Sequence, residues 1–202
     1  MLDKNAKPHQ PIEQRIKNFY EVSLGFDDAQ AKQEAARCLH CASPRCVKGC
    51  PVNVPIPSFI AKIKENDLDT AYEIITGANS LPSICGRVCQ QERQCEGHCV
   101  LRLKGRPVTI GNLERFAADR YNARHPLKID FTPITQKHKV AVIGCGPAGV
   151  TCASDLNKMG YDVTVFEAMA HGGGVLYYGI PDFRLPREVV NREINNLAAR
   201  GV

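Results

Sequence analysis

The sequence predicts an α + α/β chain, in which an α-helical domain is followed by the first part of a parallel α/β domain. Three observations carry this. Eight cysteines crowd into residues 38–99 among segments of helical periodicity. A proline-marked stretch then interrupts the helical pattern. From residue 139 an apolar run, a glycine-rich turn, a helical segment and a second apolar run follow within about 30 residues, the dimensions of one βαβ unit. The expected boundaries are a helical domain over 1–123, a linker over 124–138 and the α/β portion over 139–202.

Element by element, residues 1 to 11 are polar and proline-punctuated, which suggests a loose arm. Ile12, Ile16 and Phe19 share one face of a helix expected from Ile12 to Tyr20. Asp27 reads as an N-cap with Gln30 in the capping-box position, opening a helix that runs into Cys38. Ser58 and Asp67 cap two expected short helices, over 59–65 and 68–76, and a further helix runs from Ile110 to Asn122. The cysteine loops between them lack an apolar core of their own. Pro126, Pro133 and the polar run 135–138 mark an extended linker. Lys139 to Gly144 then has the composition of a buried parallel strand, and Pro147 opens a helix of about 13 residues. Val163, Val165 and Phe166 form the second strand, residues 187–200 another helix, and Gly201 the opening of a third strand.

The 202 residues are 44% hydrophobic and 23% charged, which excludes wholesale disorder. No stretch approaches the roughly 18 apolar residues of a membrane span, and the N-terminus has no apolar signal region. A cytoplasmic, reducing compartment is therefore expected, and ten cysteines there point to metal rather than disulfides. The formal charge of +5 does not make a nucleic-acid binder, because the Lys and Arg residues are scattered. It also counts neutral thiols: eight thiolates around two oxidised cubane cores would leave about +1.

The first cysteine group is C-x2-C-x4-C-x3-C-P, from Cys38 through Cys41, Cys46 and Cys50 to Pro51. It keeps the C-x3-C-P ending of the bacterial ferredoxin run and lengthens the central spacer by two residues. The second group, C-x3-C-x5-C-x3-C, comprises Cys85, Cys89, Cys95 and Cys99. Thiolate-rich sites favour iron–sulfur clusters or zinc by softness. Zinc prefers paired C-x2-C knuckles, of which there is one, so zinc is the weaker fit. Together these features describe a helical, double-cluster ferredoxin-like domain. His40 and His98, beside ligand candidates, read as hydrogen-bonding neighbours. Cys145 and Cys152 read as packing residues, Cys152 facing inward on its helix.

Gly144-Cys-Gly-Pro-Ala-Gly149 is G-x-G-x-x-G between a strand and a helix. Its glycines allow a tight turn, close approach of a pyrophosphate, and helix-on-strand packing. The pyrophosphate would lie at the positive end of the helix dipole. Glu167 ends the second strand 18 residues after Gly149, where a carboxylate can accept from ribose hydroxyls. The pattern marks a Rossmann-type domain without distinguishing FAD from NAD(P). Arg184 could pair with a phosphate or lie on the surface.

The run 37–51, the second cysteine group, the turn 144–149 and Tyr178-Gly-Ile-Pro-Asp-Phe-Arg-Leu-Pro186 together resemble the glutamate synthase small-subunit family. That family takes in the β subunit of NADPH-dependent glutamate synthase and the large subunit of an electron-bifurcating NADH-dependent ferredoxin:NADP oxidoreductase. The N-terminal half of dihydropyrimidine dehydrogenase is similar. The resemblance implies a helical domain with two [4Fe-4S] clusters, then an FAD domain into which an NADPH domain is inserted, both continuing beyond Val202. It assigns Cys38, Cys41, Cys46 and Cys99 to one cluster, and Cys50, Cys89, Cys95 and Glu114 to the other. Counting cysteines alone would choose Cys85 as the eighth ligand. The blander reading of Glu114 is a solvent-facing residue paired with Arg115 or Arg120. For FAD the resemblance points to Gly144, Cys145, Gly146, Pro147 and Ala148 at the pyrophosphate, Glu167 at the adenosine ribose, Gly174 and Val175 near the flavin, and Arg184.

The function so implied is electron transfer between NADPH or NADH, FAD and two [4Fe-4S] clusters, in an oxidoreductase with no catalytic side chain in this stretch. The expected partner is a second redox subunit, either a glutamate synthase large subunit or a ferredoxin or flavoprotein. The alternatives are a bifurcating NADH-dependent ferredoxin:NADP oxidoreductase subunit, or a non-catalytic iron–sulfur relay in a larger complex.

Overall fold

The computed structural model describes residues 8–125, 127 and 131–202. The arm expected over residues 1–11 is thus described only from Pro8, and Pro126 of the expected linker lies outside the described residues. The chain divides into two compact units, Met1–Asn18 with Val22–Arg124, and Phe19–Glu21 with His125–Val202.

In the first unit, α1 (Ile12–Arg15) is a single turn with no buried residue. The longer helix expected to Tyr20 does not form. Two residues of its apolar face stay open to solvent, Ile12 at 61% and Ile16 at 72% exposed. So short a segment is marginal without tertiary support. α2 (Asp28–Ala35) starts at the expected capping box, with the Asp27 carboxylate accepting from Gln30 N–H at 2.8 Å and the Gln30 amide oxygen from Asp27 N–H at 3.1 Å. α3 (Arg45–Lys48) is one turn within the first cysteine group.

α4 (Ile56–Lys64) begins three residues before the expected start, and Ser58 lies inside its first turn rather than capping it. The reason is Pro57, which fits the opening turn of a helix because its missing N–H needs no partner there. Asn66, in the left-handed region at φ +64°, turns the chain into α5 (Leu68–Thr76), where Asp67 caps by accepting from Thr70 N–H at 3.2 Å. α6 (Pro82–Val88) has no counterpart in the sequence reading, nor do two 3₁₀ turns, Glu96–His98 and Val100–Lys104. α7 (Ile110–Arg124) closes the unit.

The core of this unit is Phe59, Ile60, Ile63, Ile75, Leu113 and Ala117 with their neighbours, drawn from α4, α5 and α7. Cys38, Cys46, Cys50 and Cys99 pack directly against it, and Cys95 is part of it. The cysteine loops thus borrow the core of the helices. α6 lies close on α7, because Gly86 has no side chain; a Cβ there would sit 2.6 Å from the Arg115 backbone nitrogen. Tyr72 and Tyr121 stack at 3.8 Å between α5 and α7. Buried Glu34 accepts from Arg37 at 2.7 Å and from Thr109 N–H at 2.8 Å, while Arg37 donates to the Arg106 carbonyl at 2.7 Å. This tie joins the end of α2, just before Cys38, to the entry of α7.

In the second unit β1 (Lys139–Ile143) and β2 (Asp162–Phe166) pair in parallel, from Lys139 opposite Asp162 to Ile143 opposite Phe166. α8 (Pro147–Lys158) is the crossover, covering Val142 and Val163 with Val150 and Ala153. Cys152 is exposed, contrary to the inward orientation expected, because the buried stripe of α8 is Val150, Ala153, Ser154 and Asn157. α9 (Val175–Tyr178) and α10 (Arg187–Ala198) follow, the latter burying Val190 and Leu197. Gly201, expected to open a strand, lies in a turn with φ +97°. The end of the expected linker is pinned to this unit: Thr132 N–H donates to the Arg200 carbonyl, and Thr135 and Gln136 N–H donate to that of Gly160.

Candidate functional site

Two sets of donors form in the helical unit. In the first, Cys38 leaves the end of α2, its N–H bonded to the Ala35 carbonyl. His40, at φ +45°, bends the chain back toward Cys41. Cys46 lies in α3 and Cys99 between the two 3₁₀ turns. Cys38, Cys41, Cys46 and Cys99 line one pocket, with Ile56, Ile60, Leu101 and Ile110 as its apolar wall. Burial pushes the Cys38 thiol up, against a backbone hydrogen bond from His40. Burial and the neighbouring Cys99 push Cys46 up to about 11. Four thiolates in such a pocket are costly alone, and a positively charged core among them would offset that cost.

In the second, Cys50, just past α3, and Glu114 of α7 lie near enough to Cys95 to act on its thiol, and Cys89, at the end of α6, acts on Glu114. Burial, and then the charges of Glu96, Glu114 and Cys50, push the Cys95 thiol up. Glu114 is 8% exposed, not the solvent-facing residue of the blander reading. Arg115 and Arg120 bond instead to Asp119 and Asp28. Burial raises the Glu114 carboxyl to about 8, against a 2.7 Å hydrogen bond donated by Asn79. Cys85 lies beside Cys89, which with burial and the charge of Glu114 pushes the Cys85 thiol up, and the Cys85 S–H donates to Asn79 Oδ1 at 3.6 Å. Among the described residues, no three Cys, His, Asp or Glu side chains come close enough to hold a single metal ion. The first set surrounds a pocket, the room a four-iron cluster would require.

Several supporting residues carried no sequence signal beyond being polar within the cysteine loops. The Gln91 amide donates to the Cys85 carbonyl at 3.1 Å, and Glu96 accepts from Gly111 N–H at 3.2 Å, tying the second cysteine group to the start of α7. His98 is a neighbour rather than a donor to either set, with Nδ1 2.7 Å from the Gln94 carbonyl. A Cβ on Gly49 would strike the His98 ring, so glycine there lets the two loops meet.

In the second unit the three glycines of the turn have three different reasons. Gly144 has φ +94°, and its N–H donates to the Phe166 carbonyl at 2.7 Å. Gly149 packs so closely that a Cβ would overlap the Gly144 carbonyl. Gly146 has extended backbone, φ −78° and ψ −178°, and nothing lies within 4 Å of where its Cβ would point. Neither torsion nor packing demands glycine at 146, and the missing side chain leaves that face of the turn open. Pro147 and Ala148 open α8, whose first N–H groups have no carbonyl within the helix.

Glu167 holds the turn: one oxygen accepts from Cys145 N–H and the other from Met169 N–H, both at 2.8 Å. These bonds, Met169 first, lower its carboxyl below the ordinary range. The loop 172–174 closes over the same turn, with Gly173 N–H donating to the Cys145 carbonyl at 2.6 Å. Gly174, at φ +53°, packs its Cα face on Gly146, and Val175 next to it is exposed. Arg184 is an exposed residue in the turn after Pro181.

Helices bearing two cysteine-rich donor sets, followed by the strand–turn–helix–strand of a dinucleotide fold, define the class: an iron–sulfur domain joined to a Rossmann-like domain. The family described as dihydropyrimidine dehydrogenase domain II, 4Fe-4S cluster, matches residues 15–126, and an NAD(P)-binding Rossmann-like domain matches residues 142–199. The glutamate synthase [NADPH] small chain of Escherichia coli is 39% identical over 202 residues, covering 100% of this chain and 43% of that protein. Its counterpart from Azospirillum brasilense is 38% identical over 193 residues, 95% of this chain and 40% of that protein. The NAD-dependent dihydropyrimidine dehydrogenase subunit PreT of Escherichia coli is 38% identical over 183 residues, 90% of this chain and 44% of that protein. The chain belongs to this glutamate synthase small-chain and dihydropyrimidine dehydrogenase-like family. It spans less than half the length of these relatives.

Proposed function

We propose that this chain is the electron-transfer part of a cytoplasmic NAD(P)H-dependent flavoprotein oxidoreductase, of the kind typified by the small chain of NADPH-dependent glutamate synthase. One [4Fe-4S] cluster is held by Cys38, Cys41, Cys46 and Cys99, the other by Cys50, Cys89, Cys95 and Glu114. The turn Gly144–Ala148 receives the FAD pyrophosphate, Glu167 the adenosine ribose, and Gly174, Val175 and Arg184 the remainder. The chemistry these groups supply when bound is the exchange of a hydride pair from NADPH or NADH for single electrons, delivered to a second redox subunit such as a glutamate synthase large subunit. The protein's own part is to fix the donors, exclude water from them and present the glycine turn.

The observation that carries this reading is the division of the donors into two sets, one around Cys38 and Cys99 and one around Cys50 and Glu114, both against one apolar core. Of the described helices, none is long and apolar enough to cross a membrane. The test is anaerobic purification followed by iron, sulfide, zinc and flavin quantification. Roughly eight irons and eight sulfides per chain, with visible absorbance that bleaches on dithionite, are expected. Flavin alongside them supports the flavoprotein assignment, and its absence from the complete protein favours a relay that carries clusters alone. Stoichiometric zinc without iron sinks the proposal.

A further inference from the structure

The Lys and Arg residues are scattered along the sequence, but the acids are not. No Asp or Glu lies between Glu34 and Glu65, nor between Glu96 and Glu114. The fold brings these two acid-free stretches together around the first donor set. Leu39 and Arg45 from one, and Val100 and Leu101 from the other, line the same pocket as Cys38, Cys41, Cys46 and Cys99. Beside that pocket Gly49 lets the end of α3 meet the His98 ring, and Arg102 donates to the Gly97 carbonyl at 3.0 Å. Arg37 ties the start of the first stretch to the Arg106 carbonyl at 2.7 Å.

Arg45, Lys48, Arg102, Lys104 and Arg106 are all exposed on these segments. Among the described residues, no ion pair reaches any of them. Two large aliphatic side chains stand in the same segments, Leu39 at 59% and Leu103 at 76% exposed. Four thiolates and an oxidised cubane core would carry about −2. The five exposed cations outnumber that charge, so the face stays positive with its cluster in place. Apolar side chains within a polar, charged rim are the anatomy of a protein–protein interface, and a rim of one sign recruits a partner of the other. Leucines offer a nucleobase no ring to stack on, which favours a protein over a nucleic acid. We propose that this face is where the second redox subunit docks, through an acidic surface with an apolar centre. This rests on the reading of the first donor set as a cluster site, and it adds where the partner binds and with what charge.

The experiment uses the full chain, purified anaerobically with its clusters. The probe is an acidic plant-type [2Fe-2S] ferredoxin, with a single-stranded oligonucleotide as the competing polyanion. Iron and sulfide per chain are measured first, then ferredoxin affinity by calorimetry from about 20 mM to about 0.5 M NaCl. Carbodiimide, which joins lysine amines to carboxylates, maps the contact. The expected result is binding that weakens by about tenfold or more across that salt range, with cross-links at Lys48 and Lys104. Lys48→Glu with Lys104→Glu should keep full iron and lose about tenfold in affinity at low salt. Leu103→Ser should weaken binding without changing its salt dependence. Lys17→Glu with Lys137→Glu, at exposed bases elsewhere, should change nothing. Full iron with no ferredoxin binding, or with equal binding by K48E/K104E and wild type, overturns the proposal and leaves the cluster reading intact. Preference for the oligonucleotide, lost in K48E/K104E, overturns it in favour of a nucleic-acid surface. Iron absent from the wild type overturns the cluster reading on which the proposal rests.

Discussion

Gly146 owes its identity to neither torsion nor packing, whereas Gly144 answers to a positive φ and Gly149 to a close backbone. The three should therefore fail differently. Gly146→Val in the complete protein should weaken flavin retention by at least about tenfold, roughly 1.4 kcal/mol, while leaving the melting temperature within the scatter of surface substitutions. Gly149→Ala should instead destabilise the α/β unit itself, because the added carbon meets the Gly144 carbonyl. Thermal melts and flavin content of both variants check this, and a G146V protein that keeps its flavin would count against the turn as the pyrophosphate site. In the helical unit, Asn79 reaches Glu114 across 35 positions of sequence at 2.7 Å. Outer-shell partners of metal ligands typically contribute 10–100-fold in affinity. Asn79→Ala should accordingly speed loss of iron from one cluster to a chelator and leave the other unchanged. The glycine turn was legible because every constraint on it is local. Asn79 was not, since nothing near residue 79 announces a partner in α7.

At the scale of the element, the helices legible in the sequence were those that carry their own signals. Asp27 with Gln30, and Asp67, specify helix starts through hydrogen bonds within three residues. Asp27→Ala should cost about 1 kcal/mol in denaturant unfolding. The Thr70 hydroxyl and N–H, both donating, hold the Asp67 carboxyl below its ordinary value. A carboxylate so depressed stabilises the fold above its unfolded pKa of about 3.9, and that contribution fades as the pH falls through the folded value. The stability difference between wild type and Asp67→Asn should therefore be full near neutrality and close only in the acid range below about pH 4. A difference that narrows above pH 6 would contradict it. α6 left no such mark, because it is defined by its fit on α7 through Gly86 and not by a cap or an apolar stripe. The helix expected through Phe19 fails for the opposite reason, having a stripe whose Ile12 and Ile16 stay exposed. Since α6 carries Cys85 and Cys89 and α7 carries Glu114, Gly86→Ala should do more than cost about 1–3 kcal/mol by overpacking. It should part the second donor set and release about half the iron, with the first set retained.

For the molecule as a whole, the cysteines lie on the core rather than in appended loops. Cys38, Cys46, Cys50 and Cys99 touch the same cluster of side chains that Phe59, Ile75 and Leu113 build, and Cys95 belongs to it. Glu114, beside them, is a carboxyl that burial pushes up to about 8. Emptied of metal, this unit would keep thiols and a carboxyl in apolar surroundings without the charge that justifies placing them there. Anything that binds the folded state alone stabilises it by mass action, and the proposed ligand sets draw donors from α3, α6, α7 and the 3₁₀ turns together. Cluster removal should therefore loosen the helical unit throughout, while the α/β unit, which carries none of the proposed cluster ligands, stays as it was. Amide hydrogen exchange of the cluster-loaded and the iron-stripped protein, each kept anaerobic, tests this directly. Faster exchange is expected across Asp28–Ala35, Ile56–Thr76 and Ile110–Arg124, with β1, α8 and β2 unaltered. Equal acceleration of both units would mean that the clusters support more than the core they touch, and no change in either would mean that the apolar packing of α4, α5 and α7 suffices without them.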